Sequence, residues 1–336
     1  MTADRPRTFD IHAHILEKET VAALNAATPE AQVSITDTDE DFSDLTVRGV
    51  TYRKFPRGGW DVARRIADMD RIGYDRQLLA ATPQTFLYDI PAEHGLIAAQ
   101  VQNDAILARC AAQPDLFMGL ATLPMQAPDK AAAELARAMD RGMTGAMIGS
   151  NTNGTNLDDP ALEPLWAEAE RRGAFMMIHP VKVAGMDRQK SYYLQNFIGN
   201  PLDTTIAAAS LVFGGVLERF PGLKIVLSHG GGFTPYQAAR WIHGWAERDE
   251  AKLQLKGDPG PSLDRLIYDA ILHDGLPLQF LVDYAGSKRV LLGSDYPFDM
   301  GQYDQIEVIN GLRLTDAERR DLLAVAAEAL VPGAAG

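Results

Sequence analysis

The chain has 336 residues, of which 46% are hydrophobic and 23% charged, and its formal net charge is −13. This is the composition of a globular enzyme, and the acidic balance argues against a protein that holds nucleic acid or an anionic membrane surface by charge. The one cysteine, Cys110, excludes an intrachain disulfide framework and a cysteine-rich zinc site. Cys110 reads as a packed residue rather than a nucleophile. No run approaches the roughly 18 apolar residues of a membrane span. Residues 1–8 carry no apolar core of a secretory leader. A cytoplasmic location is expected.

Short apolar runs recur at 8–14, 76–82, 117–123, 145–149, 175–179, 224–229, 266–271 and 290–294. Such runs suit parallel strands covered on both faces. After the first run, about 45 residues pass before a helix begins near Trp60. Within that gap, residues 33–52 are rich in Thr, Asp and β-branched side chains. Residues 16–59 are therefore read as a β-rich insertion, a flap over the active-site mouth, since insertions that long tend to be functional. Amphipathic segments follow at 62–72, 130–141 and 162–172, each ending in basic residues and then Gly73, Gly142 or Gly173. Eight strands alternating with helices predict an α/β fold, a (β/α)8 TIM barrel forming one domain over 1–336. A doubly wound open sheet is the competitor, but no Gly-x-Gly-x-x-Gly follows the first strand. The Ala-rich tail after Val331 is expected to fray.

The strand ends carry the chemistry. The first run reads Phe9-Asp10-Ile11-His12-Ala13-His14. Residues i and i+2 of a strand share a face, so two imidazoles converge there. The fifth run ends at His179-Pro180, the sixth at His229-Gly230-Gly231-Gly232, the eighth at Gly293-Ser294-Asp295. In a barrel these C-terminal ends surround one mouth, where active sites lie. Each residue alone has an ordinary structural explanation; their joint placement is hard to explain as packing. His12, His14, His179 and Asp295 offer three nitrogens and a carboxylate oxygen, a set suited to one borderline divalent ion, Zn2+ before Mn2+. Water on that ion would be acidified towards neutrality. His229, on a different strand and before three glycines, suits acid/base work, with Asp295 beside it in the catalytic set. The fourth run, 145–149, holds no lysine to bridge a second ion. Phe86, Tyr88 and Phe298 either shape an aromatic pocket or fill the core.

The combination of His12-x-His14, His179-Pro180, His229-Gly-Gly-Gly and Gly293-Ser294-Asp295-Tyr296-Pro297-Phe298 resembles the amidohydrolase superfamily. Within it, the chain is similar to the decarboxylase branch typified by 2-amino-3-carboxymuconate 6-semialdehyde decarboxylase. The similarity runs from Phe9 to near Glu328 and takes in Trp60, Ala67-Asp68-Met69-Asp70 and the Ala81-Thr82-Pro83 turn. The resemblance implies zinc on the four ligands and His229 as acid/base. It also implies Arg53, seven residues before Trp60, as a clamp on a substrate carboxylate, with Arg57 as the alternative. Arg240, eleven residues after His229, matches an arginine that the family inserts into the neighbouring subunit's site, which implies a homodimer. Phe298 and Asn196 complete the substrate-binding set. Asn196 stands where the most similar subgroup has a tryptophan, a departure within the substrate-binding set.

These readings lead to a metal-dependent, non-oxidative decarboxylase of a small unsaturated or aromatic carboxylic acid, working through metal-bound water and His229. A hydrolase of a lactone, amide or C–C bond, or a hydratase, shares the fold and metal and stays open. A catalytically silent barrel is disfavoured by the complete ligand set.

Overall fold

Strands that are apolar along their whole length need cover on both faces, and a ring of strands inside a ring of helices provides it. The computed structural model describes residues 7–334. Its strands are β1 (Phe9–Ile15), β2 (Val33–Asp37), β3 (Phe42–Val47), β4 (Val50–Pro56), β5 (Arg76–Ala81), β6 (Phe117–Gly119), β7 (Gly145–Gly149), β8 (Phe175–His179), β9 (Lys224–Leu227), β10 (Ile267–Asp269) and β11 (Val290–Leu291). One parallel run orders β1-β5-β6 and another orders β11-β10-β9-β8-β7. Isolated parallel bridges join them on both sides, Ala121 to Ala146 and Ala13 to Tyr296. Backbone bonds from Ala121 to Gly145 O (2.9 Å) and from Ile11 to Leu292 O (2.9 Å) continue the ladder across the two seams. The eight parallel strands thus form a (β/α)8 barrel. Every residue of β1, β7 and β8 is buried.

Helix ends follow the local signals. The helix Val62–Ile72 starts on Asp61, whose side chain accepts from Arg64 N, and stops at Gly73 with φ 93°. A left-handed stop of this kind suits glycine. The helices Pro128–Asp140 and Glu163–Arg172 match the other two segments within two residues. The later strands are shorter than their apolar runs. β11 ends at Leu291 and β9 at Leu227; beyond those ends His229 and Asp295 both adopt left-handed backbone, at φ 54° and 59°.

The residues read as β-rich form an antiparallel sheet, β2-β3-β4. β3 alternates, with Ser43, Leu45 and Val47 buried. Leu45, Val47 and Phe55 pack with Leu16, Leu24, Leu87 and Ile90 in a second apolar cluster. Fully burying a side chain such as Leu45 contributes about 1.5–3 kcal/mol. A helix at Lys18–Ala27, not apparent in the sequence pattern, supplies Val21 and Leu24 to this cluster. The tail corrects an expectation: Val331 and Ala334 are buried, and Ala334 O accepts from Arg76 Nη1 at 2.9 Å. Burial of these two residues holds the segment down; the last two residues, like residues 1–6, lie outside the described residues. Among the described residues no helix is long and apolar enough to cross a membrane.

Candidate active site

Four side chains from three parts of the barrel meet at its mouth. β1 carries His12 and His14, β8 ends on His179, and Asp295 follows β11. One ligand atom from each lies within 4.8 Å of all the others, and all four residues are buried. His12 Nε2 and His14 Nε2 are 3.1 Å apart, and His14 Nε2 is 3.1 Å from Asp295 Oδ1. The opposite ring nitrogens face outward to fixed acceptors. His12 Nδ1 lies 2.7 Å from Asp269 Oδ2, His14 Nδ1 3.2 Å from Ala81 O, and His179 Nδ1 3.0 Å from Pro180 O. An acceptor at Nδ1 keeps the proton there, so each Nε2 offers a lone pair inward. Lone pairs of two imidazoles facing at 3.1 Å repel unless a cation lies between them, and the buried His179 Nε2 has no hydrogen-bond partner. The residues therefore fit a divalent metal ion.

Electrostatics point the same way. Burial and the nearby His14, His12 and His229 hold the His179 imidazole well below its ordinary range. Burial also lowers His14, partly opposed by Asp295. For His12, burial pulls downward but the Asp269 hydrogen bond and neighbouring carboxylates win, and the net direction is up. Asp295 sits well below the carboxylate range despite burial, because His12, His14 and His229 surround it. A carboxylate that stays ionised beside two imidazoles that resist protonation, His14 and His179, suits a metal ion.

Residues around the four ligands hold this geometry, and three of them, Asp10, Asp269 and Arg65, are not singled out by the sequence. Asp10 accepts from Ser294 Oγ (2.6 Å), Ser294 N (2.9 Å), Gln77 Nε2 (2.9 Å) and His12 N (3.1 Å), tying β1 to β5 and to the Asp295 loop. Burial pushes its carboxyl up to about 6. Asp269 holds His12 and also accepts from Gly230 N at 2.8 Å, linking β10 to the loop that carries His229. The signal for both was an acid inside an apolar run, Phe9-Asp10-Ile11 and Tyr268-Asp269-Ala270. Arg65, fully buried, donates to His14 O and to Gln77 Oε1 (2.9 Å), and its guanidinium lies 4.7 Å from the Tyr296 ring centre.

His229 Nε2 lies 3.4 Å from Asp295 Oδ2, and its buried Nδ1 has no hydrogen-bond partner. A Cβ on Gly232 would sit 2.1 Å from Pro201 O, so the turn after His229 requires glycine there. Above the cluster opens a cavity of about 550 Å³, lined by His179 and Asp295 and by Phe86, Tyr88, Asn196 and Phe298 among others. Phe298 packs 5.3 Å from His14 between ring centres. Flap residues Val47, Arg48, Val50 and Tyr52 also line it.

The two arginines read as carboxylate clamps stand elsewhere. Arg53 is exposed and does not line the cavity. Its neighbour Tyr52 does, and successive side chains of a strand face opposite ways. Arg57 is held by Asp61, with Nε 2.8 Å from Oδ2. Arg240 is exposed on the helix Thr234–Glu247 and does not line the cavity of its own chain. The cavity-lining cations are instead Arg48 and Lys182.

Fold and cluster together define a metal-binding (β/α)8 barrel. The family model for amidohydrolases matches residues 9–333. The chain is 34% identical over 322 residues to a 2-amino-3-carboxymuconate-6-semialdehyde decarboxylase of Dictyostelium discoideum, across 95% of this chain and 90% of that protein. It belongs to the amidohydrolase family. Two solved structures share the fold. The 5-carboxyvanillate decarboxylase of Sphingomonas paucimobilis has a TM-score of 0.82 at 23% identity, over 97% of this chain and 99% of that one. A dihydroxybenzoic acid decarboxylase from Polaromonas sp. JS666, holding manganese and 2-nitroresorcinol, has a TM-score of 0.77 at 20% identity, over 97% of each chain.

Proposed function

We propose that the protein is a metal-dependent, non-oxidative decarboxylase of a small unsaturated or aromatic carboxylic acid. The observation that carries this is the His12, His14, His179 and Asp295 cluster set below an aromatic-lined cavity, with His229 against Asp295. The named relatives and structural neighbours, all decarboxylases, support it.

When bound, a divalent ion supplies Lewis acidity, acidifying water and polarising a substrate oxygen. The three imidazoles and Asp295 hold it. In the reaction the bond from carbon to CO2 breaks, its electron pair stays on the carbon, and that carbon takes up one proton. His229 is the residue placed to hold and deliver that proton from Nε2, with Asp295 Oδ2 orienting the ring. Phe86, Tyr88 and Phe298 hold the unsaturated carbon skeleton and exclude water from it, and Asn196 also lines the cavity.

The test uses 5-carboxyvanillate, 2,6-dihydroxybenzoate and a panel of muconate-type acids with metal-loaded enzyme. CO2 release is expected, with one solvent deuterium at the vacated carbon in D2O and no label from ¹⁸O water in the organic product. Label incorporation without CO2 would establish a hydrolase or hydratase instead. His229→Gln should keep its metal and lose turnover by about 10²–10⁴-fold; turnover within tenfold of wild type refutes its role.

The donor set of three imidazoles and one carboxylate supports a single Zn2+ as the resident ion; elemental analysis showing stoichiometric manganese would replace it. A homodimer with Arg240 reaching the neighbouring site belongs to the same reading. Its support is that Arg240 is exposed on a helix that also exposes Tyr236 and Ile242. Light scattering that shows only monomer would remove it. A cytoplasmic location is kept on the strength of the single free cysteine.

A further inference from the structure

Three charged side chains from three loops meet at the wall of the cavity. Arg48 sits at the turn between β3 and β4, Asp89 follows β5, and Lys182 lies three residues beyond His179. All three line the cavity. One carboxylate oxygen, Asp89 Oδ2, is 3.6 Å from Arg48 Nε and 3.3 Å from Lys182 Nζ. Two cations thus share one anion, and this wall is left with a net positive charge in a protein of net charge −13. The other charged lining residues are Asp295, in the metal cluster, and the exposed Asp299.

Both cations are preset. Arg48 and Lys182 have φ of 50° and 45°, a left-handed region that residues with a Cβ seldom occupy and that clusters at functional sites. Hydrogen bonds hold each in place. Arg48 N donates to Gln32 O (3.0 Å) and Arg48 Nη1 to Glu30 O (2.7 Å). Around Lys182, Val181 N donates to Ser150 Oγ (3.2 Å), Asn151 Nδ2 donates to Val181 O (2.7 Å), and Ala184 N donates to the buried Asp203 (3.0 Å). Lys182 Nζ also reaches Asn153 Oδ1 at 3.3 Å. The side chains remain open to an incoming group, at 35% exposure for Arg48, 50% for Lys182 and 43% for Asp89.

We propose that Arg48 and Lys182 recognise a second acidic group of the substrate, with Asp89 as the anion that occupies them until it arrives. This rests on the reading of the cavity as a carboxylic-acid site and narrows the substrate class to dianionic acids. One carboxylate lies at the metal cluster and leaves as CO2; the other is held by the guanidinium fork and the ammonium and stays on the product. Arg48 stands on the flap and Lys182 on the barrel, so the second acid also ties the flap to the barrel.

The test measures binding without turnover. Isophthalate and benzoate differ by one carboxylate, and each is titrated calorimetrically into metal-loaded wild type, Arg48→Met, Lys182→Met and Asp89→Asn. Wild type should bind isophthalate about tenfold more tightly than benzoate. Arg48→Met and Lys182→Met should each erase most of that ratio while benzoate affinity stays within about twofold. Asp89→Asn should raise the ratio severalfold, because the competing anion is gone. A ratio near one in wild type, or one that survives in both cation variants, overturns the proposal. So does a ratio that falls in Asp89→Asn along with the others, which makes the triad only a latch between flap and barrel. Circular dichroism checks each fold, and Lys182→Met carries the test if Arg48→Met fails to fold. An enzyme that hydrolyses rather than decarboxylates leaves this result intact. Equal binding of the two acids by an enzyme that does release CO2 overturns this proposal alone.

Discussion

Asp269 should control metal affinity without touching the metal. Its Oδ2 lies 2.7 Å from His12 Nδ1, while Oδ1 accepts from Gly230 N at 2.8 Å and Ile271 N at 3.2 Å. Asp269→Asn keeps the shape and can keep the acceptor for the two backbone groups. It then turns an amide N–H towards His12 Nδ1. His12 must become an acceptor there, which moves its proton to Nε2 and blocks the lone pair aimed at the ion. If the amide turns the other way, Gly230 N loses its partner and the loop carrying His229 loosens. Loss of such an outer partner weakens metal binding by about 10–100-fold, or about 1.4–2.7 kcal/mol. Competition between apo protein and a chelating dye for Zn2+ reads the change, and circular dichroism confirms the fold. A folded Asp269→Asn protein with metal affinity within twofold of wild type would refute the reasoning. His14 is a built-in contrast: its Nδ1 acceptor is the Ala81 carbonyl, which no side-chain substitution can remove.

Two further outcomes follow from other buried groups. Burial pushes the Cys110 thiol up to about 12, so at pH 8 its reaction with an aromatic disulfide should be slower than in denatured protein by a factor on the order of a thousand; equal rates would refute the burial argument. The unfolded chain loses this proton first as pH rises, so the Cys110 contribution to stability is complete below the ordinary thiol range and is lost between there and about pH 12. Arg65→Met leaves Gln77 Oε1 and His14 O without their donor inside the barrel, and should cost about 2–5 kcal/mol in urea unfolding. A loss below about 1 kcal/mol would mean that water replaces the guanidinium.

Much of this architecture was legible before any coordinates. Continuous apolar runs suit strands covered on both faces, and a glycine after a basic turn closes a helix cheaply, so the parallel strands and the helix ends at Gly73 and Gly173 are legible in local chemistry. The ligand histidines were legible because metal chemistry restricts residue type and because barrel topology gathers C-terminal strand ends at one mouth. The runs at 224–229 and 290–294 extend past the strand ends at Leu227 and Leu291, towards the left-handed His229 and Asp295, where long-range bonds such as Asp295 N to His12 O, 283 positions away along the chain, take over. The helix Lys18–Ala27 was missed because its buried face is completed by the flap and not by its own periodicity.

Residue type and spacing by themselves pointed to the parallel strands and to the four metal-ligand side chains, since apolar runs mark buried strands and metal chemistry restricts residue type. Tertiary structure alone decided which nitrogen of each imidazole faces inward, because the deciding acceptors, Asp269, Ala81 O and Pro180 O, come from other strands or from the turn of the chain. It also decided which cations face the cavity. Arg53 and Arg48 lie five residues apart on one hairpin, yet strand alternation and a left-handed turn place Arg48 against Asp89 and Lys182 and leave Arg53 in solvent. Facing is set by backbone twist and by long-range partners, and neither is written in the spacing of residues along the chain.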